Sequence, residues 1–404
     1  MVAMQERNDM ISEVRKPLIV QVVRQFLPNR GGLEDVVANL CHSLPKRGFR
    51  VRVVTCDSLF SEPERGRLPA EEFIDGIEIV RIPWRGSTRY PLAPAVFRHL
   101  READLVHVHA IDFFFDALSW GRLLHRRPMV ATTHGGFFHT KAFSALKKTW
   151  FNSVTRVSAS GYSKIIGCSE ADVRTFQPIA GNRVRLIENG VDIGKFEDAA
   201  ARMPARRLVT IGRFSSNKRL PLLIELTAAL KTRHPDWSLD IIGVPSDLTV
   251  DMLRAEARKH GAETAVTIHK GLTNPEIRHR LAEASLFVSA SDYEGFGLVA
   301  VEAMSAGLLP VLNANAAFVD LAGRHPDLSL CDASDIAATV DAVEAAYTRL
   351  ETRGPALRSD LMSAAHAYGW SAVADRYCDV YRSVLGLAAE SRPAMSFDTT
   401  APAR

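Results

Sequence analysis

The sequence predicts an α/β protein built as two Rossmann-like domains facing a cleft. Three observations lead there. Short apolar runs alternate with helical stretches along the chain, the signature of parallel sheets covered by helices. The alternation resets near Glu188-Asn-Gly-Val-Asp192, where a polar linker, Lys195–Arg207, precedes a fresh set of strands. And 404 residues are comfortable for two hydrophobic cores rather than one.

The elements follow in order. Pro17-Leu-Ile-Val-Gln-Val-Val23 is a first strand, broken at Leu27-Pro-Asn-Arg-Gly-Gly32. Val36, Val37, Leu40 and Leu44 then repeat at helical spacing, which predicts a helix over Leu33–Leu44. Further strands fall at Arg50–Thr55, Ile77–Ile82, Leu105–His109, Met129–Thr133 and Ile165–Cys168. The second set runs Leu208–Gly212, Leu239–Ile242, Val266–His269, Leu286–Ser289 and Leu309–Leu312. A last helix is expected over Ala372–Leu387, with Val380, Tyr381 and Val384 on its core face. This places an N-terminal domain at residues 1–194, a C-terminal one at 195–387, and a disordered, Ala/Ser/Pro/Thr-rich tail at 388–404.

Composition narrows the function classes. With 47% hydrophobic and 24% charged residues the chain is an ordinary soluble globular protein. No run approaches the roughly 20 apolar residues of a membrane span, and the polar start of mixed charge does not resemble a secretory leader. The five cysteines are scattered without a CxxC pair, which argues against a zinc site or a disulfide framework and fits a reducing cytoplasm. The net charge of +4 is uneven: the region Ala117–Ser169 holds basic residues and no acidic one. No nucleic-acid-binding motif accompanies it.

The chemistry concentrates in Ser291-Asp-Tyr-Glu-Gly-Phe-Gly-Leu-Val-Ala-Val-Glu302. Glu302 is the only charged residue between Gly295 and Val319, in a stretch apolar enough to be buried, and a buried carboxylate needs a partner. A helix starting near Gly297 leaves Glu294 in the strand-to-helix loop and Glu302 in the first turns. The amides of Gly295, Phe296, Gly297 and Leu298 are then donors at a helix N-terminus, suited to a phosphate. The competing reading is a Glu302 bonded to its own surroundings and a Glu294 that only caps the helix.

Together with other segments, this stretch resembles the retaining, metal-independent GT-B glycosyltransferases grouped as family 4. The family signature of two glutamates separated by seven residues stands here as Glu294 and Glu302. The resemblance implies that Glu302 holds the ribose of a nucleotide and Glu294 sits by the donor sugar hydroxyls. Gly212-Arg-Phe-Ser-Ser-Asn-Lys218 resembles the family's cation segment, which makes Arg213 and Lys218 the diphosphate-binding residues; Arg219 replaces the usual small residue after the lysine. Departure of a nucleoside diphosphate develops negative charge, and no Asp-x-Asp pair is present to hold a divalent ion, so two cations and a helix N-terminus suit that task. Gly31 and Gly32 match the glycine pair after the first strand, where backbone can approach the donor closely; a Gly-Gly pair also serves simply as a turn. Thr132-Thr-His134-Gly135 matches the family's strand-end histidine and points to His134 as a contact of the transferred sugar. His107 and His109 lie two apart on one strand and share one face, core or cleft. Asn189-Gly-Val-Asp192 and the closing helix match the family's architecture, in which that helix crosses back to the N-terminal domain.

The resemblance implies a hexosyltransferase with no bound cofactor and no metal. The donor is a nucleotide-sugar, with GDP-mannose favoured by the likeness of Tyr293–Gly297 and Gly307–Asn313 to bacterial exopolysaccharide mannosyltransferases. The expected acceptor is a polyprenyl-diphosphate-linked glycan. Asn315-Ala-Ala-Phe-Val-Asp320 departs from the Gly-Gly-x-x-Glu segment of many relatives, so a UDP-sugar donor stays open, as does a non-catalytic sugar-nucleotide-binding protein. The basic, aromatic segment 137–164 fits either peripheral contact with an anionic membrane, for a cytoplasmic protein at the inner face of the cell membrane, or a helix with a solvated basic side.

Overall fold

The computed structural model of the chain describes residues 15–134 and 149–388. The part of the basic segment before Thr149 and the tail beyond residue 388 therefore lie outside the described residues. The chain forms two compact units. One holds the chain up to Leu186 together with Ala374 onward, and the other is Ile187–Val373.

The first unit carries β1 (Leu18–Val22), β2 (Arg50–Cys56), β3 (Glu71–Ile74), β4 (Ile77–Ile82), a small hairpin of β5 (Arg85–Ser87) and β6 (Tyr90–Leu92), then β7 (Leu105–His109), β8 (Met129–Thr132), β9 (Lys164–Gly167) and β10 (Val184–Leu186). Its main sheet has the order β10-β9-β8-β7-β1-β2-β4-β3. All neighbours are parallel except the β3–β4 pair. The second unit is a six-stranded parallel sheet. Its strands are β11 (Arg207–Ile211), β12 (Ser238–Gly243), β13 (Val266–Lys270), β14 (Leu286–Ser289), β15 (Leu309–Asn313) and β16 (Ser329–Cys331). They stand in the order β13-β12-β11-β14-β15-β16.

The central strands are the continuous apolar runs of the sequence. β1, β7, β8, β14 and β15 are buried at every position, as a parallel sheet covered on both faces requires. The strands the sequence did not reveal include β3, β10 and β16, and each is the edge of its sheet. Edge strands are short and half solvated, so they carry no apolar run to read.

The last helix spans Trp370–Leu385. Its core face is Val373, Ala374, Tyr377, Cys378 and Tyr381, whereas Val380 and Val384 are only partly buried. From Ala374 onward it belongs to the first unit, where its two tyrosines reach β7 and β8. All five cysteines are free, and four are buried.

Candidate functional site

In the second unit, β11 ends at Ile211 and the chain turns through Ser216–Lys218 before the helix Leu220–Arg233. That turn is fastened to the loop after β14. Asn217 accepts the Tyr293 amide at 3.1 Å with Oδ1 and donates to the Tyr293 carbonyl at 2.9 Å with Nδ2. The Asp292 amide donates to the Asn217 carbonyl at 3.0 Å. These bonds bring two segments 76 residues apart into register and set Lys218 Nζ 2.6 Å from Glu294 Oε1. Both side chains are mostly shielded from solvent, which strengthens the pair relative to an exposed one. Arg213 is exposed and makes no ion pair among the described residues. It is a cation available to a ligand.

Arg219 explains its own departure from the family pattern. It sits at φ 46°, a left-handed conformation that favours glycine. Its guanidinium compensates with donations to the Ala290 carbonyl at 2.8 Å and Asn313 Oδ1 at 3.3 Å and an ion pair with Asp292 at 2.7 Å. Asn313 and Asn315 in turn donate to the Ser291 carbonyl at 3.0 and 2.9 Å. The loop that carries Glu294 is thus tied on both sides, and Lys218 is held by backbone on each flank.

The helix Leu298–Ala306 begins from Gly297 at φ 81°. A Cβ at Gly297 would lie 2.8 Å from the Phe318 ring, so glycine is required both by the backbone angle and by the close approach. Gly295 is exposed, with open space where a side chain would be. Phe296 is half-buried against Tyr368, with ring centroids 5.7 Å apart. The amides of Gly295, Phe296, Gly297 and Leu298 have no protein acceptor among the described residues. Four unpaired donors therefore lie in the turn before the helix and at its start, where a negative group is favoured.

Glu302 lies in this helix and has a partner that sequence reasoning missed. Lys195 Nζ donates to its Oε1 at 3.3 Å, and the ammonium also stands 4.6 Å from the Phe196 ring centroid. Burial raises the Glu302 pKa above the usual carboxylate range, with Lys195 opposing that rise and Asp192 adding to it. Its Oε2 has no hydrogen-bond partner among the described residues, so a diol can be accepted there. Lys195 was legible only as the first cation after Asn189-Gly-Val-Asp192, within what read as linker.

In the first unit, Gly31 is extended and Gly32 opens the helix Gly32–Ser43. A Cβ at Gly32 would meet nothing within 4 Å, so the backbone there is open to close approach. Glu34, in the first turn, is held by Asn29 Nδ2 at 2.8 Å. His134 follows β8 at φ 53°. It is not a lone histidine. His134 Nε2 lies 2.9 Å from His109 Nδ1, and His109 Nε2 lies 2.7 Å from Gln21 Oε1. His107 Nδ1 lies 2.7 Å from Tyr381 Oη and its Nε2 2.8 Å from Thr132 Oγ1. Both strand histidines are fully buried, so the face they share is core. Burial holds His107 and His109 well below their usual pKa and His134 down to about 4, so all three rings are neutral at pH 7.

The second unit thus gathers Arg213, Lys218, Glu294–Leu298 and Glu302 around the C-terminal ends of β11 and β14, and the first places Gly31, Gly32 and His134 at strand ends of its own sheet. No group of three or more His, Cys, Asp or Glu among the described residues is arranged to hold a metal ion. None of the described helices is long and apolar enough to cross a membrane.

Two family models match the chain in succession. Residues 30–195 fit the model for Glycosyltransferase Family 4, and residues 195–354 fit that for Glycosyl transferases group 1. Over 92% of its length the chain is 43% identical to a GDP-mannose:cellobiosyl-diphosphopolyprenol alpha-mannosyltransferase of Komagataeibacter xylinus, covering 94% of that protein. It is 40% identical over 91% of its length to the protein of the same description from Xanthomonas oryzae, covering 97% of it. Among solved structures, a glycosyltransferase from Rickettsia africae superposes with a TM-score of 0.67 at 16% identity, over 92% of this chain and 100% of that one. That likeness speaks to the fold.

Proposed function

The chain belongs to the family 4 glycosyltransferases of the GT-B fold, and we propose that it transfers mannose, with retention, from GDP-mannose to a polyprenyl-diphosphate-linked oligosaccharide. The observation that carries the donor site is the 2.6 Å contact between Lys218 and Glu294, from two loops fastened through Asn217. A cation for the diphosphate and a carboxylate for the sugar stand side by side, next to four unpaired amides. The alpha-mannosyltransferases of the same architecture supply the donor and acceptor class.

In this reading Arg213, Lys218 and the amides of Gly295–Leu298 stabilise the charge that develops on the diphosphate. Glu302 accepts the ribose hydroxyls and Glu294 a hydroxyl of the donor sugar. Gly31 and Gly32 let the backbone come close to the donor, and His134 contacts the transferred sugar. The C1–O bond to the diphosphate breaks while the acceptor oxygen bonds C1 on the same face. The acceptor's proton passes to the departing phosphate oxygen. Protein side chains then contribute orientation and charge stabilisation rather than a covalent intermediate.

A panel of GDP, UDP, ADP and TDP in thermal-shift measurements tests this, with Glu302→Ala as control. A shift selective for GDP and lost in Glu302→Ala is expected, together with mannose transfer from GDP-mannose onto lipid extract that falls in Glu294→Ala. A UDP-selective shift would overturn the mannose assignment. Binding of GDP with no transfer to any extract would favour a non-catalytic nucleotide-binding protein.

The membrane is the expected source of the acceptor. Within the described part of the basic segment, Trp150 and Val157 are 43% and 61% exposed. Trp120, Leu123 and Leu124 are also exposed, on helices joined to this segment by the bond from Ser119 Oγ to the Ser158 carbonyl at 2.6 Å. Arg122, Arg126 and Arg156, in the same stretches of chain, are exposed as well. Exposed apolar side chains together with exposed arginines suit the headgroup region of an anionic bilayer.

A further inference from the structure

His107, His109, Gln21 and Tyr381 are buried polar residues that the transfer reaction itself does not use. Their atoms form one line. From His134 Nε2 it runs through His109, Gln21 Oε1 and Nε2, Tyr381 Oη at 3.4 Å and His107 to Thr132 Oγ1, and on to Tyr377 Oη at 3.4 Å. Each neutral imidazole has one donor and one acceptor, so fixing one member fixes the rest. Gln21 sets the sense. Its Oε1 can only accept, so His109 Nε2 carries the proton and His109 Nδ1 accepts from His134 Nε2. Its Nε2 can only donate, so Tyr381 Oη donates in turn to His107 Nδ1, and His107 Nε2 donates to Thr132 Oγ1. The far nitrogen of His134, Nδ1, has only the Cys168 sulfur near it, at 4.0 Å, a weak contact that a sugar hydroxyl can displace.

We propose that Gln21 and Tyr381 are positioning residues: through this directional chain they lock His134 as the Nε2–H tautomer, so that its Nδ1 is offered as a hydrogen-bond acceptor to a hydroxyl of the transferred sugar. The proposal rests on the reading of His134 as a sugar contact. It assigns that histidine the opposite polarity from a proton donor. It also gives the last helix a second task, since Tyr381 both packs the first unit and sets the state of a residue at the strand ends.

The experiment is 15N spectroscopy of the histidine-labelled full chain at pH 7, beside steady-state transfer from GDP-mannose. In the wild type, His107, His109 and His134 are expected to show protonated Nε2 and unprotonated Nδ1. Tyr381→Phe removes the hydroxyl that orients Gln21, and Gln21→Met removes the acceptor of His109. Each should mix the His134 tautomers and lower kcat about five- to tenfold with donor KM unchanged, the scale of one misplaced hydrogen bond. Tyr377→Phe deletes an equally buried hydroxyl at the tail of the line, beyond Thr132, and should leave the His134 signals as they are. His134 with protonated Nδ1, or His134 signals and kcat unchanged in both Tyr381→Phe and Gln21→Met, would overturn the proposal. A wild-type rate in His134→Ala would instead overturn the sugar contact and with it the catalytic consequence, while the nitrogen shifts would still report whether the line exists.

Discussion

Asp112 offers a stability test with a worked sign. It follows β7 and caps the helix Phe113–Trp120, accepting the Phe114 amide at 3.0 Å with Oδ1. Its Oδ2 is buried with no hydrogen-bond partner, and only 2% of the residue is exposed. Burial pushes its pKa up from 3.8 to about 6, against the opposing pull of Arg24 and of the Phe114 and Phe115 amides. A carboxyl whose folded pKa is raised contributes stability that is complete below 3.8 and is lost as pH rises through about 6. At pH 8 the charged form therefore costs the fold roughly 3 kcal/mol, from about 1.4 kcal/mol per decade of acidity between the two pKa values.

Asp112→Asn keeps an oxygen for the cap and removes the charge. It is expected to be more stable than wild type at pH 8 by up to about 3 kcal/mol, several degrees in Tm for a unit of this size. The gain should shrink through pH 6 and vanish near pH 4. The buried histidines act in the opposite sense. Their pKa values are lowered, so their contribution is present above 6.5 and falls as pH drops toward about 4 for His134. They are common to both proteins and cancel in the difference. Tm measured for both proteins from pH 4 to 8 decides the matter. A difference that does not vary with pH, or a variant less stable at pH 8, would refute the reasoning.

Two further outcomes follow from geometry. Gly297→Ala places a Cβ 2.8 Å from the Phe318 ring at φ 81°, so it should lower stability by about 1–3 kcal/mol and weaken GDP binding by moving the amides at the helix start; a Tm and an affinity matching wild type would contradict both. Replacing Trp120, Leu123 and Leu124 together by serine should abolish sedimentation with anionic vesicles while leaving the GDP thermal shift intact; unchanged sedimentation would return that surface to ordinary solvent exposure.

The parts of this protein that read directly from sequence are those where one physical cause dominates. The central strands declare themselves because burial on both faces leaves only apolar residues, as in Leu18–Val22 and Leu286–Ser289. The helix start at Leu298 was visible because Gly297 precedes a run whose one charged residue is Glu302. Partners brought together across the fold were not visible. Lys195 reads as a linker cation, and only the folded chain sets it 3.3 Å from Glu302, 107 residues away. Tyr381 reads as one more apolar contact of the last helix, and only its register against β7 turns its hydroxyl toward His107. A periodic pattern says which face is buried, but not which polar atom on that face finds a partner.

Arg219 makes the same point from the other side. Against the family pattern it looks like an error, a long cation in place of a small residue. In the fold it occupies a left-handed position that a glycine would adopt without strain, at φ 46°. The side chain that glycine lacks then reaches Ala290, Asp292 and Asn313, on either side of the loop that ends in Glu294. Strain of about 1–3 kcal/mol in one backbone angle is held in place by several charge-assisted contacts of similar size. Those contacts immobilise the carboxylate beside Lys218, and the sugar-contacting role proposed for Glu294 gains more from that rigidity than from a relaxed turn. The departure from the pattern is therefore a different means of fixing the same loop, and it leaves Lys218 beside Glu294.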